Sequence, residues 1–248
     1  MENLLKDLRY ALRIFRKKPA FYLIAVIVLA LGIGANSAIF SIVDVMLIRP
    51  LPYRDSGRLV TLWHSYPHLM PPRAEVSAPC FMIYKEQGDI FDGIAATMRR
   101  SMSLTGDGEP AQIQAMLVTG DFFSTLGVSP LIGRPITPDD DRPGNDHVAV
   151  LSYELWQYSF GGQQQVLSQP VSLNGVNYDV IGVMPPHFTF LGKADLWLPM
   201  AFVPGQLGPR QHGNEYLSVV ARLKQGLSLQ QAQTKLDTIS AGIRRQFP

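Results

Sequence analysis

The sequence predicts an α+β chain in which an apolar helix precedes a large mixed α/β domain. Three observations carry that expectation. No charged side chain occurs from Pro19 to Val43. About 200 residues follow this apolar segment, and with 46% of the chain hydrophobic and 17% charged they are expected to fold. Those residues interleave strand-like runs, hairpin turns and capped helices, the pattern of hairpins mixed with βα units.

The uncharged run of 25 residues would make a helix about 37 Å long at 1.5 Å per residue. A hydrocarbon core is about 30 Å thick, and inside it a backbone must satisfy its own polar groups. The run therefore predicts a transmembrane helix, placed over residues 19–48. Six basic residues precede it: Lys6, Arg9, Arg13, Arg16, Lys17 and Lys18. Only Glu2 and Asp7 oppose them, so the first twenty residues carry +4 in a chain of +2. Basic flanks stay cytoplasmic, which predicts the N-terminus inside and the main domain outside. Leu4, Leu5, Leu8, Ala11, Leu12 and Phe15 recur at helical spacing opposite these cations. Residues 1–18 thus read as an amphipathic helix on the inner leaflet, with the six cations as its lipid contacts. A cleavable signal peptide is the rival, with a small-residue site near Ala35–Ser37. The apolar sequence resumes past that site, through Ile39, Phe40, Ile42 and Val43, which favours a retained anchor. Ala30, Gly34 and Ala38 fall four apart, a small-residue stripe that lets another membrane helix approach closely.

In the outer region, Arg58 to Trp63 reads as a strand and Tyr66 to Pro72 as a proline-rich loop. Ser77 is expected to cap a helix with Pro79 in its first turn and Gly88 as its stop. Ile94 to Thr105 reads as extended, with a turn at Gly106–Gly108, and Gln112 to Val118 as a strand. Phe122, Phe123 and Leu126 mark a short helix ended by Gly127. Val148 to Leu151 is a buried strand, and Ser152 caps a helix bearing Leu155, Trp156 and Phe160. Asn174-Gly175 between two apolar runs is the strongest local signal, a two-residue hairpin turn. Leu196 to Leu198 and Tyr216 to Leu223 are further strands. Ser228 with Gln231 resembles a capping box before a stripe of Leu229, Ala232, Leu236, Ile239 and Ile243.

Catalytic and ligand motifs are absent. No phosphate-cradling G-x-x-x-x-G-K-[ST], no G-x-S-x-G and no H-E-x-x-H occurs. His64 and His68 are four apart, but Pro67 between them argues against a helix that pairs them. Asp139–Asp141 with Asp146 and His147 lacks the ligand spacing of a calcium loop and reads as a solvated turn. Cys80, the only cysteine, sits among Pro79, Phe81 and Met82 and reads as a small buried hydrophobe. Trp63, Trp156 and Trp197 read as core residues. No catalytic residue, cofactor or metal site is expected, and the near-neutral exterior offers nucleic acid no basic patch.

Several blocks, in order, resemble the MacB-like ABC transporter permeases, in their branch of duplicated orphan permeases. They are Asp7 to Arg13; Leu29 to Phe40 running on to Leu47 to Tyr53; Phe122 to Val128 with Pro130, Gly133 and Arg134; Leu151 to Trp156; Ile181 to Pro185; Asp195 to Pro199; and Arg222 to Gly226 with Gln231 to Gln233. The resemblance implies an extracytoplasmic core domain over residues 49–248, built of two α/β subdomains. Residues of about 60–112 and 216–248 would form the membrane-proximal one, and about 113–215 the inserted one. It also implies a non-catalytic permease subunit in the cell inner membrane. A separate cytoplasmic ABC-type ATPase would drive it to change the shape of the outer domain for export. Further permease helices or a second permease copy, and a periplasmic partner, would complete the assembly. Three more membrane helices follow the outer domain in such permeases, so the 248 residues read as a truncated member. The alternative reading is a single-pass anchored periplasmic binding or scaffold module that does not transport. An anchored enzyme is disfavoured by the missing nucleophile, metal and acid/base signals.

Overall fold

The structure is a computed structural model that describes residues 19–43, 53–66, 70, 72–105 and 110–247. The six N-terminal cations, residues 44–48, His68 and the Gly106–Gly108 turn lie outside the described residues. The chain divides into two compact units, Met1–Leu51 and Pro52–Pro248.

In the first unit, α1 (Pro19–Val43) is a single 25-residue helix with no acidic residue in its first turn and no basic one in its last. Among the described residues its large apolar side chains are exposed, Leu23, Ile27, Leu31 and Ile39 among them. Ala30, Gly34 and Ala38 are exposed as well, and a Cβ added at Gly34 would meet nothing within 4 Å. Among the described residues no helix is long and apolar enough to cross a membrane.

The second unit is built on one ten-stranded sheet. Its first edge is β1 (Leu59–Leu62), which leads into a small hairpin of β2 (His64–Ser65) and β3 (Arg73–Ala74), and then β4 (Val76–Ser77). Helix α2 (Ala78–Lys85) follows. Ser77 takes the N-cap position as expected, but its hydroxyl makes no capping bond and is buried without a partner among the described residues. Pro79 supplies the first-turn geometry instead.

Strand β5 (Phe91–Thr105) is 15 residues long and joins the two ends of the sheet. Its first half pairs antiparallel with β12 (Glu215–Leu223), and its second half with β6 (Ala111–Val118). The short helix α3 (Phe122–Leu126) ends at Gly127, whose φ of 68° is the left-handed stop the sequence implied. Next come β7 (Ile132–Gly133), β8 (Val148–Leu151) and α4 (Tyr153–Phe160), which Ser152 caps by accepting the Leu155 amide at 3.0 Å. The predicted hairpin is β9 (Pro170–Leu173) and β10 (Val176–Val183). Asn174 and Gly175 have φ of 51° and 80°, the two positive values a primed turn requires. The Asn174 side chain also accepts the Ser103 amide at 2.8 Å, which clips the turn to β5. Strand β11 (Leu196–Pro199) completes the set, and helix α5 (Leu229–Gln246) closes the chain behind the Ser228–Gln231 capping box.

Along the main path the sheet order is β1-β12-β5-β6-β11-β8-β10-β7. Strand β9 pairs with both β10 and the far end of β5, through Leu104↔Leu173 and Thr105↔Ser172. Strands β5, β6, β11, β8, β10 and β9 therefore form a closed circuit, which leaves none of those six a free edge. Three apolar clusters hold the unit. One joins α2, β12 and the start of β5; one lies with the circuit and α4; the third gathers Phe122, Phe123, Leu126 and Trp197.

Two expectations need correction. Trp63 is not a core residue: it is 45% exposed, while Trp156 and Trp197 are buried. Its indole donates to the Thr61 hydroxyl two residues back, at 3.1 Å, at the edge of the sheet. The Asp139–Asp141 run is a turn with Asp139 exposed, as expected, but its other two carboxylates are not solvated. Asp140 is buried against Arg134 and Thr137, and Asp141 accepts the Gly120 amide at 2.9 Å and the Ala201 amide at 2.7 Å. Asp140 is held by residues three and six positions back in its own loop, whereas Asp141 finds its partners 21 and 60 positions away, a pairing that local composition does not encode.

Candidate functional site

The site is a cleft between α5 and the β1–β2 edge, of about 1270 Å³. The 18-residue helix α5 forms one wall because its apolar stripe faces the sheet: Ala232 is buried, and Leu236, Ile239 and Ile243 are partly buried. Val60 and Leu62 of β1 and Leu223 of β12 line the opposite wall. At the β2 end the lining turns polar, with His64, Glu215, Tyr66, Tyr84 and His212.

His64 is the hub of that polar end. Its Nδ1 contacts Glu215 Oε1, which also accepts the Tyr66 hydroxyl at 2.7 Å. Its Nε2 lies 3.3 Å from the Tyr84 hydroxyl, which in turn lies 3.2 Å from Ser240 Oγ on α5. One imidazole thus links β2, β12 and α2, and reaches α5 through a tyrosine. Beside it, Cys80 Sγ lies 3.4 Å from His212 Nδ1, and His212 stacks on Phe247 with ring centroids 3.8 Å apart.

The electrostatics follow from this packing. Burial opposes the charged form of His64, but Cys80 and Glu215 outweigh it and raise its pKa above the ordinary histidine value. Burial, with the His64 charge behind it, lowers that of His212. Burial and the Glu215 carboxylate push the Tyr66 phenol up to about 12. Burial also raises that of Tyr84. A tyrosine that stays protonated can donate, as the Tyr66 hydroxyl does to Glu215.

The arrangement orders hydrogen bonds. Among the described residues no group of three His, Cys, Asp or Glu side chains is placed to hold a metal ion. Cys80 is 2% exposed, the buried residue the sequence implied, although it has a polar neighbour in His212. The sequence reading set His64 aside with His68, and Glu215, Tyr84 and His212 went unremarked. They come together from positions up to 151 residues apart. The one local hint was the alternation of Tyr216 to Leu223, which places Glu215 at the mouth of a strand. Of the membrane-helix residues proposed from sequence, Ala30, Gly34 and Ala38 share α1, outside this cleft.

Fold and cleft together define a mixed α/β core domain in which the last helix lies over the edge of an extended sheet. Residues 22–239 match the family described as the MacB-like periplasmic core domain, and the chain belongs to that family. Among solved structures, the chain is similar to the periplasmic region of MacB from Actinobacillus actinomycetemcomitans. That match has TM-score 0.59 and 16% identity, over 75% of this chain and 84% of the other. A domain of a protein from Porphyromonas gingivalis described as a permease matches with TM-score 0.60 and 16% identity, over 79% and 87%. The extracellular domain of the noncanonic ABC-type transporter YknZ from Gram-positive bacteria matches with TM-score 0.52 and 17% identity, over 71% and 87%. At these identities the likeness is one of fold. No curated protein matches the chain.

Proposed function

We propose that the chain is the membrane-anchored outer-domain portion of an ABC-type transporter permease. The observation that carries this reading is the family match over residues 22–239, which joins most of α1 to the outer domain. Helix α1 acts as the transmembrane anchor in the cell inner membrane. The cations Lys6, Arg9, Arg13, Arg16, Lys17 and Lys18 lie on the cytoplasmic leaflet, and residues 49–248 lie outside. The Ala30, Gly34 and Ala38 stripe packs against further permease helices or a second permease copy. A cytoplasmic ABC-type ATPase does the hydrolysis, and its two states bias the shape of the outer domain, which drives export. Residues of about 60–112 and 216–248 form the membrane-proximal half, and about 113–215 the inserted half. Strand β5 belongs to the first and pairs with β6 and β9, which lie almost wholly in the second.

Two measurements test this. Alkaline extraction of cell membranes should leave the chain in the pellet, with a C-terminal reporter active only outside the cytoplasm. Affinity capture of the full chain from detergent-solubilised membranes should recover an ABC-type ATPase. A chain released by alkali, or one that never recovers an ATPase, sinks the proposal.

The second reading, an anchored binding module that does not transport, is favoured by the cleft itself. In that case the full chain binds its ligand unchanged in cells lacking the ATPase.

A further inference from the structure

We propose that the cleft between α5 and β1 binds an anionic amphiphile, a single acyl chain with a negatively charged head group. The proposal goes beyond the transport reading and does not depend on it. It rests on how the cleft changes character along its length.

At one end the cleft is apolar. The pairing Leu59↔Arg222 sets Leu223 beside the start of β1, and Leu229 and Ala232 of α5 line the same region. Leu229 is 65% exposed although its side chain faces the cleft. The stripe of an amphipathic helix normally finds a partner surface, yet part of this one borders open space. Water is a poor occupant for such a wall, and an alkyl chain is a good one.

At the other end the cleft is polar and cationic. Strand β12 runs from Glu215 to Leu223, so its first residue lies at the β2 end, away from the apolar wall. Helix α5 arrives there with Ser240 and Arg244, followed by its C-cap residue Phe247. Three arginines line the cleft, all at this end. Arg73 is paired with Ser65 across the β2–β3 hairpin, Arg210 is two residues from His212, and Arg244 is one turn beyond Ser240. None of the three has an ion-pair partner among the described residues. The two carboxylates of the lining are already engaged. Glu215 holds His64 and Tyr66, and Asp237 accepts Gln233 Nε2 at 2.8 Å. Asp237 keeps its negative charge, because a carboxamide donor does not neutralise it, but the three arginines outnumber it; the surplus charge is therefore positive, and guanidinium groups suit carboxylate or phosphate oxygens. Ligand pockets commonly run to about 300–1,000 Å³, so the 1270 Å³ of this cleft accommodates a long-chain ligand.

The test uses the full chain in nanodiscs of zwitterionic lipid, with a diazirine-bearing palmitate as the probe and mass spectrometry to map the labelled peptides. Labelling is expected on α5 and β1. Unlabelled palmitate should compete, while methyl palmitate and inorganic phosphate should not, because one lacks the charge and the other the chain. The double substitution Arg73→Gln with Arg244→Gln alters exposed side chains and should cut labelling about tenfold, the loss expected for a charged hydrogen bond. Leu236→Trp, which fills the apolar wall, should abolish it. Equal competition by the methyl ester, or labelling indifferent to the arginine substitutions, overturns the proposal. So does an unlabelled cleft, including one that crosslinking shows to be filled by a second copy of the chain.

Discussion

Arg134 and Asp140 form a two-pronged ion pair, with Nη1 to Oδ2 at 2.6 Å and Nη2 to Oδ1 at 2.8 Å. Thr137 adds its amide and its hydroxyl to the same carboxylate, at 2.8 and 2.7 Å. Burial alone would raise the pKa of Asp140, but Arg134 and Thr137 overcome it and hold the carboxyl down to about 2. The pair fastens the loop after β7, a strand that ends one path of the sheet.

The first prediction concerns acid stability. A carboxyl depressed on folding stabilises fully above its unfolded pKa of about 3.9. That contribution is lost as pH falls through about 2. Asp140→Asn should therefore cost about 1–2 kcal/mol at neutral pH, a range that allows for solvent screening of the half-exposed Arg134. At pH 2 the cost should shrink. Urea unfolding of the reconstituted chain at both pH values measures it, and an equal loss at both would refute the assignment.

The cleft histidines predict a stability maximum. His64 has its pKa raised on folding, so its contribution is complete below about 6.5 and fades as pH rises through the raised value. His212 has its pKa lowered, so stability falls as pH drops from about 6.5 through the lowered value. The two limbs meet near pH 6.5, each with a slope of at most about 1.4 kcal/mol per pH unit. His64→Gln should flatten the alkaline limb, and His212→Asn the acid limb. Thermal unfolding across pH 5 to 8 separates them. Because the His64 charge also depresses His212, His64→Gln should soften the acid limb as well; an acid limb that survives His212→Asn would refute the assignment.

Local signals were legible in the sequence and distant ones were not. The Asn174-Gly175 turn, the Ser152 cap, the Gly127 stop and the Ser228–Gln231 box are all present, because each depends on residues within a few positions of one another. Trp63 was misread because an apolar neighbourhood does not say which strand lies at the edge of the sheet. Asp141 and the His64 cluster were missed for a related reason. Their partners are brought to them by the fold from 21 to 151 positions away, and the closed circuit through β9 depends on pairings of Leu104 and Thr105 with residues nearly 70 positions away. A single sequence carries the elements of such a fold far better than their adjacency.

Gly133 marks one of those adjacencies. Its φ is 75°, and an added Cβ would lie 2.2 Å from the Ile181 carbonyl oxygen, where β7 meets β10. That neighbour is backbone and cannot step aside. Gly133→Ala should therefore destabilise by at least about 2–3 kcal/mol, combining overpacking with left-handed strain. Gly144→Ala is the control. Its φ is 98°, but a Cβ there meets nothing within 4 Å. It should cost only the strain, about 1 kcal/mol. Comparable losses in urea unfolding would show that the close approach to Ile181 does not matter.

The last prediction ties a helix cap to the cleft. Ser228 accepts the Gln231 amide at 3.2 Å, and the Gln231 side chain accepts the Ser228 amide at 2.9 Å. These bonds satisfy two of the orphan donors at the start of α5. The first turn of α5 has little else to hold it, since Leu229 is exposed and Ala232 is its one fully buried side chain. Ser228→Ala should cost about 1 kcal/mol. Because the helix is anchored further along by Tyr84 on Ser240, the loss should appear first as fraying of residues 229–236, not as global unfolding. Hydrogen exchange on the full chain reads this directly. Amides of residues 229–236 should exchange faster while those of β12 keep their protection. Uniform acceleration across both elements would mean that α5 and the sheet unfold as one cooperative block, and that the cleft wall has no local freedom to open.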